Sequence, residues 1–205
     1  DVVTVDDELL HEVKQTADGG YIVAGWTFSY GAGSADMWIL KLNSDGTIAW
    51  QNAYGAVGSQ QAWSVQQTSD GGYIVAGNNA GIWVLKLDSI GGIQWQMTYR
   101  GPSLSEYGNS IQQTSDGGYI VAGDTFSFGA GDFDRWVLKL DSAGNVVWQK
   151  AFGGAFSDTG LSVQQTSDGG YITAGNSISY GASAGSTIDM WIIKLNSDGT
   201  VPPAG

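Results

Sequence analysis

The sequence predicts an all-β protein, a β-propeller of four blades with four antiparallel strands in each. Three observations predict it. The chain holds 32 Gly and 9 Trp but only 3 Pro, a composition typical of many short strands joined by tight turns. One sequence unit recurs four times, and periods of about 40–50 residues with four strands each are typical of propeller blades. Helical periodicity appears nowhere, so the repeats must pack as sheets.

The repeat is visible in three recurring sequence strings. The first, Gln-Thr-x-Asp-Gly-Gly-Tyr-Ile, has spacings of 52, 46 and 52 residues and begins at Gln15, Gln67, Gln113 and Gln165. The second, Trp-[Ile/Val]-[Leu/Ile]-Lys-Leu, begins at Trp38, Trp83, Trp136 and Trp191. The third is a Trp-Gln pair at Trp50, Trp95 and Trp148, which the fourth copy lacks. We place the repeats within one domain at 6–57, 58–103, 104–155 and 156–205.

The first copy shows the four strands expected of a blade. We predict strands A to D at Glu12–Thr16, Tyr21–Gly25, Trp38–Leu42 and Thr47–Gln51. The Asp-Gly-Gly between strands A and B supplies the positive φ of a tight hairpin turn. Strands B and C are almost continuously apolar, as expected of strands covered on both faces. Each blade therefore needs neighbouring blades to bury its faces.

The repeat resembles those of bacterial secreted and cell-surface β-propeller proteins. The matching pieces are clearest in the third copy, at Asp116–Gly123, Ser127–Gly131, Asp134–Trp136 and Lys139–Gly144. The second copy departs from the pattern, because Asn78–Trp83 lacks the Ser-Phe-Gly-Ala-Gly loop. The resemblance implies the propeller fold and an extracellular or cell-surface location, but no particular reaction.

Closure of the ring needs a fourth strand for the last copy. The β-branched segment Val2–Val5 suits a strand, so we predict that residues 1–5 complete the fourth blade and close a four-bladed monomer. The alternatives are a half-ring that pairs with a second copy into eight blades, and an open array.

Composition excludes several classes of function. The net charge of −12 argues against binding to nucleic acid. The chain has no cysteine and one histidine, which excludes thiolate and polyhistidine metal centres. No apolar run is long enough to insert across a membrane. Because no signal-like segment precedes Asp1, we interpret the chain as a mature form or an excised piece of a longer protein. If an ion binds, the many carboxylates favour calcium.

Repetition separates scaffold from candidate site. A lysine recurs in every strand C and an aspartate in every hairpin turn, so we expect these to pair with each other and with their own backbone. Residues that break the repeat at strand A are more informative, and we single out His11, Glu12, Lys14, Trp63 and Asn109. Glu12 and Lys14 share a strand face and have opposite charges, which predicts mutual compensation.

The loops that join strand B to C and strand D to the next A vary between copies, so we place the candidate site there. Trp26 replaces a polar residue, and Tyr30, Phe128 and Tyr180 recur four residues later. These rings could stack on sugars, or they could fill the gaps between blades. Polar partners for hydroxyl groups of a neutral carbohydrate would be Asn78, Asn79, Asp36, Asp134 and Asp189.

These observations favour a non-catalytic binding or adhesion module that presents its variable loops to a glycan or protein partner. The sequence has no nucleophile or phosphate-binding motif. The alternative is a carboxylate-based glycan hydrolase or lyase that uses Asp132 with Asp134, or Asp124 with Asp189. A second alternative is a structural spacer within a larger surface protein.

Overall fold

The structure, a computed structural model, describes residues 8–181 and 183–203. Within these ranges it contains fifteen β-strands and no helix. The first sheet holds β1 (Glu8–Gln15), β2 (Tyr21–Thr27), β3 (Asp36–Leu42) and β4 (Ile48–Tyr54). The second holds β5 (Gln61–Gln67), β6 (Tyr73–Asn78), β7 (Ile82–Leu87) and β8 (Ile93–Tyr99). The third holds β9 (Glu106–Gln113), β10 (Tyr119–Thr125), β11 (Asp134–Leu140) and β12 (Val146–Phe152). The fourth holds β13 (Ser162–Gln165), β14 (Tyr171–Ser177) and β15 (Asp189–Leu195).

Each repeat forms its own antiparallel sheet, with its strands in chain order. The prediction of an all-β fold made of repeated four-stranded sheets is therefore confirmed for three copies, and the described part of the fourth copy supplies three strands. Strands A and D are longer than predicted, since β1 begins at Glu8 and β4 extends to Tyr54. The predicted closing segment Val2–Val5 lies outside the described residues, so closure at four blades is not shown.

The hairpin turns form as the sequence predicts. Gly19 has a φ of 80°, and the Thr16 N–H donates to Gly20 O over 2.9 Å. The Asp18 side chain accepts a hydrogen bond from the Gly20 N–H at 3.0 Å. It also forms an ion pair with Lys41, whose Nζ lies 2.8 Å from Asp18 Oδ2. The same lysine–aspartate pair closes the other three copies, as Lys86–Asp70, Lys139–Asp116 and Lys194–Asp168. The predicted scaffold role of these residues is confirmed.

The chain divides into two compact units. The first takes in the described residues up to Asn79 together with Trp83–Thr98, and the second takes in Ala80–Ile82 and the described residues from Tyr99 onward. In the first unit, Ile22 and Ile39 of the first sheet pack into one apolar cluster with Val75 and Leu85 of the second sheet. In the second unit, Ile120 and Val137 of the third sheet pack likewise with Tyr171 and Ile193 of the fourth.

One side of the fourth sheet is exposed. Ile172, Met190 and Ile192 have 37%, 78% and 53% of their surface accessible, whereas Ile22, Met37 and Ile39 at the matching positions of the first copy are fully buried. The repeated apolar pattern therefore does not by itself decide burial. A side chain in this pattern is buried only where a neighbouring sheet covers it.

Candidate functional site

The variable connections all lie at one end of the strands, which we call the loop end. They follow Thr27, Asn78, Thr125 and Ser177 at the ends of the B strands, and Tyr54, Tyr99 and Phe152 at the ends of the D strands. The opposite end carries the repeated aspartate–glycine turns. The predicted division between a uniform turn end and a variable loop end is confirmed.

A β-bulge interrupts strand A near the loop end in three copies. The register shifts between Leu10 and Glu12, between Ala62 and Ser64, and between Gly108 and Ser110. The extra residues are His11, Trp63 and Asn109, three of the five repeat-breaking residues predicted from the sequence. Bulges re-aim side chains and are common beside functional sites. The sequence located these positions but did not show that a bulge causes their special orientation.

In the first unit the two bulge residues contact each other, and one of them, Trp63, also contacts Trp26. The rings of His11 and Trp63 are 4.5 Å apart, and those of Trp26 and Trp63 are 5.3 Å apart. His11 Nδ1 lies 2.9 Å from Trp63 O. Trp26 is buried, so the expectation that it offers an open stacking surface is wrong. Its ring completes an aromatic cluster instead.

Glu12 and Lys14 form the predicted pair, with Lys14 Nζ 3.1 Å from Glu12 Oε1. The other carboxylate oxygen of Glu12 accepts a hydrogen bond from the Val65 N–H over 2.6 Å. The Glu12 carboxylate thus joins β1 to β5 within the first unit. Glu12 and Lys14 therefore hold two strands together, and we assign them no role in binding or catalysis.

In the second unit the bulge residue Asn109 contacts a carboxylate. Asn109 Nδ2 donates to Asp124 Oδ2 over 2.9 Å and to Gly160 O over 3.1 Å, and the Gly160 N–H donates to Asp124 Oδ1 over 2.8 Å. Burial raises the pKa of Asp124 to about 6, although the bonds from Gly160 and Asn109 and the charge of Arg135 each lower it. The Asp124 side chain remains partly accessible. It is therefore a carboxyl group that can exchange a proton near neutral pH.

Arg135 is the cross-strand partner of Asp124 in β11 and was not predicted from the sequence. It is fully buried, and its guanidinium donates to the carbonyl oxygens of Thr159, Thr173 and Trp191 over 3.0, 3.3 and 3.0 Å. Burial lowers its pKa to about 10, while Asp124 and Asp158 raise it, so it stays charged at neutral pH. A signal was present, since the matching residues Met37, Ile82 and Met190 are all apolar.

The recurring loop aromatics each stack on the strand C tryptophan of their own copy. The ring distances are 6.3 Å for Tyr30–Trp38, 5.2 Å for Phe128–Trp136 and 4.8 Å for Tyr180–Trp191. All three rings stay partly exposed. Each loop ring thus covers an indole with one side and leaves part of its surface accessible.

The strand C aspartates are turned inward. Asp36 and Asp134 are buried, and Asp134 Oδ2 accepts the Ala130 N–H over 2.8 Å. Their Oδ1 atoms have no hydrogen-bond partner among the described residues, and a Cβ on Gly55 or Gly153 would overlap them. Burial raises the pKa of Asp134, and the nearby Asp158 raises it further. These two carboxylates are packed inside the loops rather than presented to a ligand.

The other predicted polar partners are distributed differently. Asn78 is buried and pairs with Gln61, and Asn79 follows it in the short connection of the second copy. Asp189 is partly buried and accepts a hydrogen bond from Thr187 Oγ1 over 3.2 Å. Asp132 is exposed while its predicted partner Asp134 is buried, so the predicted Asp132–Asp134 pair does not form an open site.

Neither a metal cluster nor a membrane helix is found in the part of the chain described. No three His, Cys, Asp or Glu residues among 8–181 and 183–203 are grouped to hold an ion. Calcium binding stays a prediction without an assigned site. Over the same residues no helix is long and apolar enough to cross a membrane.

Comparisons with known proteins give similarity at the level of the fold. No protein-family model and no curated protein matches the chain. A Bacteroides caccae protein of unknown function is similar, with a TM-score of 0.66 and 15% identity over 98% of this chain and 68% of that one. A putative exo-β-1,3-galactanase from Bifidobacterium bifidum has a TM-score of 0.56 and 17% identity over 93% and 69%. A GH43 glycoside hydrolase with an engineered active site has a TM-score of 0.51 and 10% identity over 92% and 38%.

These neighbours correct the predicted class of function. Two of the three are glycoside hydrolases, whereas the sequence favoured a non-catalytic binding or adhesion module. That expectation is wrong, and the alternative of a glycan-active enzyme is the better supported. Burial in the folded chain, rather than a sequence motif, raises the pKa of Asp124. The chain is similar in fold to propeller-like glycoside hydrolases.

Proposed function

We propose that this protein is a glycan-active hydrolase in which Asp124 is the general acid. The observation that carries the proposal is the state of Asp124, a partly accessible carboxyl group whose pKa is raised to about 6 at the variable loop end. Glycosidic hydrolysis needs a carboxylic acid that is protonated near the working pH, so that it can protonate the leaving oxygen.

The surroundings of Asp124 suit this role. The Gly160 N–H and Asn109 Nδ2 hold its two carboxylate oxygens in a fixed orientation. Both bonds stabilise the ionised form that remains after the proton has been given to the leaving group. The positive charge of Arg135 also stabilises the ionised form of Asp124. The hydrogen bonds of its guanidinium go to backbone carbonyl oxygens such as Thr159 O. Proton loss during the reaction would therefore leave a stabilised carboxylate.

A second carboxylate is needed to activate water or to attack the sugar. In the described part of the second unit, three loop-end carboxylates are buried, namely Glu106, Asp134 and Asp158. Asp132 is exposed and Asp189 is partly buried. We assign the second role to Asp132 or Asp189, and their separate substitution distinguishes them.

The substrate class follows from charge and from the neighbours. A net charge of −12 disfavours anionic glycans, so we propose a neutral polysaccharide. Two structural neighbours are a putative exo-β-1,3-galactanase and an enzyme with xylanase and arabinofuranosidase activity, which supports the same class. An extracellular or cell-surface location, implied by the resemblance of the repeats, is part of this proposal because polysaccharides of that kind are met outside the cell.

A ring closed at four blades is also a proposal. In its favour, β15 ends the described fourth sheet at the edge where the other sheets add a fourth strand. Against it, the face that carries Ile172 and Ile192 is exposed. The loss of stability in Ile192→Ala, compared with that in Ile39→Ala, distinguishes a covered face from an open one.

The test is hydrolysis of neutral polysaccharides. Purified protein is incubated with β-1,3-galactan, arabinoxylan and arabinan between pH 4 and 8, and reducing ends are measured. Asp124→Asn is expected to lower the rate by about a hundredfold or more, the usual contribution of a general acid. This variant should fold, because the second and fourth copies carry Asn78 and Asn176 at the same position. Full activity in Asp124→Asn, or no hydrolysis of any of the three by the unaltered protein, would overturn the proposal.

A further inference from the structure

Three aromatic rings form a cluster beside Asp124. The rings of Tyr107 and Phe133 are 5.8 Å apart, and those of Phe126 and Phe133 are 5.3 Å apart. Tyr107 and Phe126 have 42% and 49% of their surface exposed, and Phe133 is half-buried between them. We call these three residues the ring platform. Its outer surface is accessible at the loop end of the third sheet.

The register of the sheet places the platform on the same side as Asp124. Tyr107 is the cross-strand partner of Asp124, and directly paired side chains point to the same face of a sheet. Phe126 lies two residues after Asp124 in the chain. Phe133 lies two residues before Arg135, which is the other cross-strand partner of Asp124. Both lie just beyond the ends of β10 and β11, and the contacts of the Phe133 ring with Tyr107 and Phe126 group all three rings on the Tyr107 side.

The backbone beneath the rings is anchored. The Phe126 N–H donates to Ser105 O over 3.2 Å, and the Asp158 N–H donates to Phe133 O over 2.6 Å. These bonds tie the ring-bearing segments to the preceding and following connections. A surface held in this way can stack on a ligand with little further loss of freedom.

Repetition does not account for the platform. The matching positions carry Leu9, Phe28 and Ala35 in the first copy, and Thr159, Ile178 and Ile188 in the fourth. No other copy therefore has three rings at these places in its sequence. Turn formation does not need them, since the loops of the other copies form without them.

We propose that the ring platform is a sugar-binding subsite, on which a pyranose ring of a neutral glycan stacks beside Asp124. The inference rests on the proposed function, because it assigns the substrate of that same site. Aromatic faces bind the C–H-bearing faces of sugars, and the partly exposed Asn109 and Asp124 supply hydrogen bonds for hydroxyl groups. A protein ligand would need a larger partner surface, and it is an outcome of the test rather than a second proposal.

The experiment separates binding from hydrolysis. Binding of xylo-, arabino- and β-1,3-galacto-oligosaccharides is measured by titration calorimetry with the Asp124→Asn protein, in which the proposed general acid is removed so that turnover does not disturb the measurement. Tyr107→Gln and Phe126→Ala are then added singly to that background. Tyr107→Gln introduces the residue that the second copy carries at the same register position, Gln61, and Phe126 lies in a loop with half of its surface exposed, so the fold should tolerate both substitutions. Phe28→Ala, at the position that matches Phe126 in the first copy, is the control.

We expect each platform substitution to weaken oligosaccharide binding about tenfold, the scale of one lost aromatic stacking contact. Phe28→Ala should leave binding unchanged, and Tyr107→Phe should restore most of it. Unchanged affinity in folded Tyr107→Gln and Phe126→Ala proteins overturns the subsite, even if hydrolysis is found. Binding that depends on the platform in a protein without hydrolytic activity supports the subsite and rejects only the catalytic role. Absence of binding by all three oligosaccharides at millimolar concentration overturns the subsite as well.

Discussion

Asn109 Nδ2 donates a hydrogen bond to Asp124 Oδ2 over 2.9 Å, and this bond joins the bulge of β9 to the end of β10. The bulge makes the contact possible, because it adds Asn109 as an extra residue between two regular pairs of the ladder. In the other bulged copies the same position holds His11, whose ring contacts Trp63, or Trp63, whose ring also contacts Trp26. One backbone feature thus produces an aromatic cluster in the first unit and a hydrogen-bonded carboxyl group in the second.

Removal of this hydrogen bond should change the proton affinity of Asp124. Asn109 stabilises the ionised form, so Asn109→Ala is expected to raise the pKa of Asp124 above about 6. If Asp124 is the general acid, the alkaline limb of the pH–rate profile moves to higher pH. The carboxyl titration followed by NMR gives the same information without substrate. The control is Asn145→Ala, which removes a hydrogen-bond partner of the turn residue Asp141 and should leave the pKa of Asp124 unchanged.

The lysine–aspartate pairs should make the fold sensitive to acid. Burial raises the pKa of Asp70 and Asp116, but hydrogen bonds from Thr68 and Lys86, and from Thr114 and Lys139, lower both to about 2. A carboxyl group whose pKa is lower in the folded state than in the unfolded state stabilises the folded protein at pH values above its ordinary pKa of 3.8. This stabilisation is lost as the pH falls toward 2. Urea unfolding between pH 5 and 2 measures the loss.

The matched variant for this prediction is Asp116→Asn, which cannot titrate. It should be less stable than the unaltered protein at pH 5 and should lose less stability between pH 4 and 2. Equal slopes of stability against pH in the two proteins would show that the Asp116–Lys139 pair does not contribute. The Asp116 carboxylate is largely exposed, so solvent screens the pair and we expect a small difference.

Two isoleucines at equivalent positions test whether the proposed ring closes. Ile39 is fully buried between two sheets, whereas 53% of Ile192 is exposed among the described residues. Ile39→Ala should lower the free energy of unfolding by about 2–5 kcal/mol. Ile192→Ala should lower it by less than about 1 kcal/mol if its face is open, and by an amount like that of Ile39→Ala if the ring closes over it. Denaturant unfolding of both variants checks this. A loss at Ile192 as large as that at Ile39 would mean that the exposed face is covered in solution, as ring closure requires.

Trp26 and Tyr30 are neighbours in the sequence but should behave differently. Trp26 is buried against Trp63, so Trp26→Ala should cost about 3–5 kcal/mol of stability. Half of Tyr30 is exposed over Trp38, and Tyr30→Ala should cost clearly less. Thermal unfolding of the two variants measures the difference. Equal small losses would return Trp26 to the set of candidate ligand-binding residues.

Local chemistry could be predicted from the residues themselves. Asp18, Gly19 and Gly20 form the expected turn because an aspartate that bonds its own backbone and a glycine with positive φ act over a few residues. Lys41 pairs with Asp18 since the hairpin places them together in every copy. The pairing of Glu12 with Lys14 follows from the alternation of a strand in the same way. The sequence also located His11, Trp63 and Asn109 as residues that break the repeat, and in the structure they stand at the β-bulges of strand A.

The sequence by itself determined the four repeats, the strands, the turns and the end at which variable loops lie, because each depends on contacts within one repeat. Only the tertiary structure decided the raised pKa of Asp124, the burial of Arg135, the ring platform and the inward position of Asp134. The surroundings of Asp124 and Arg135 depend on contacts with the following repeat, such as Gly160 and Trp191, and the burial of each group depends on how much water packing removes. Desolvation belongs to the folded environment rather than to a residue type, so a pattern of residues does not reveal it.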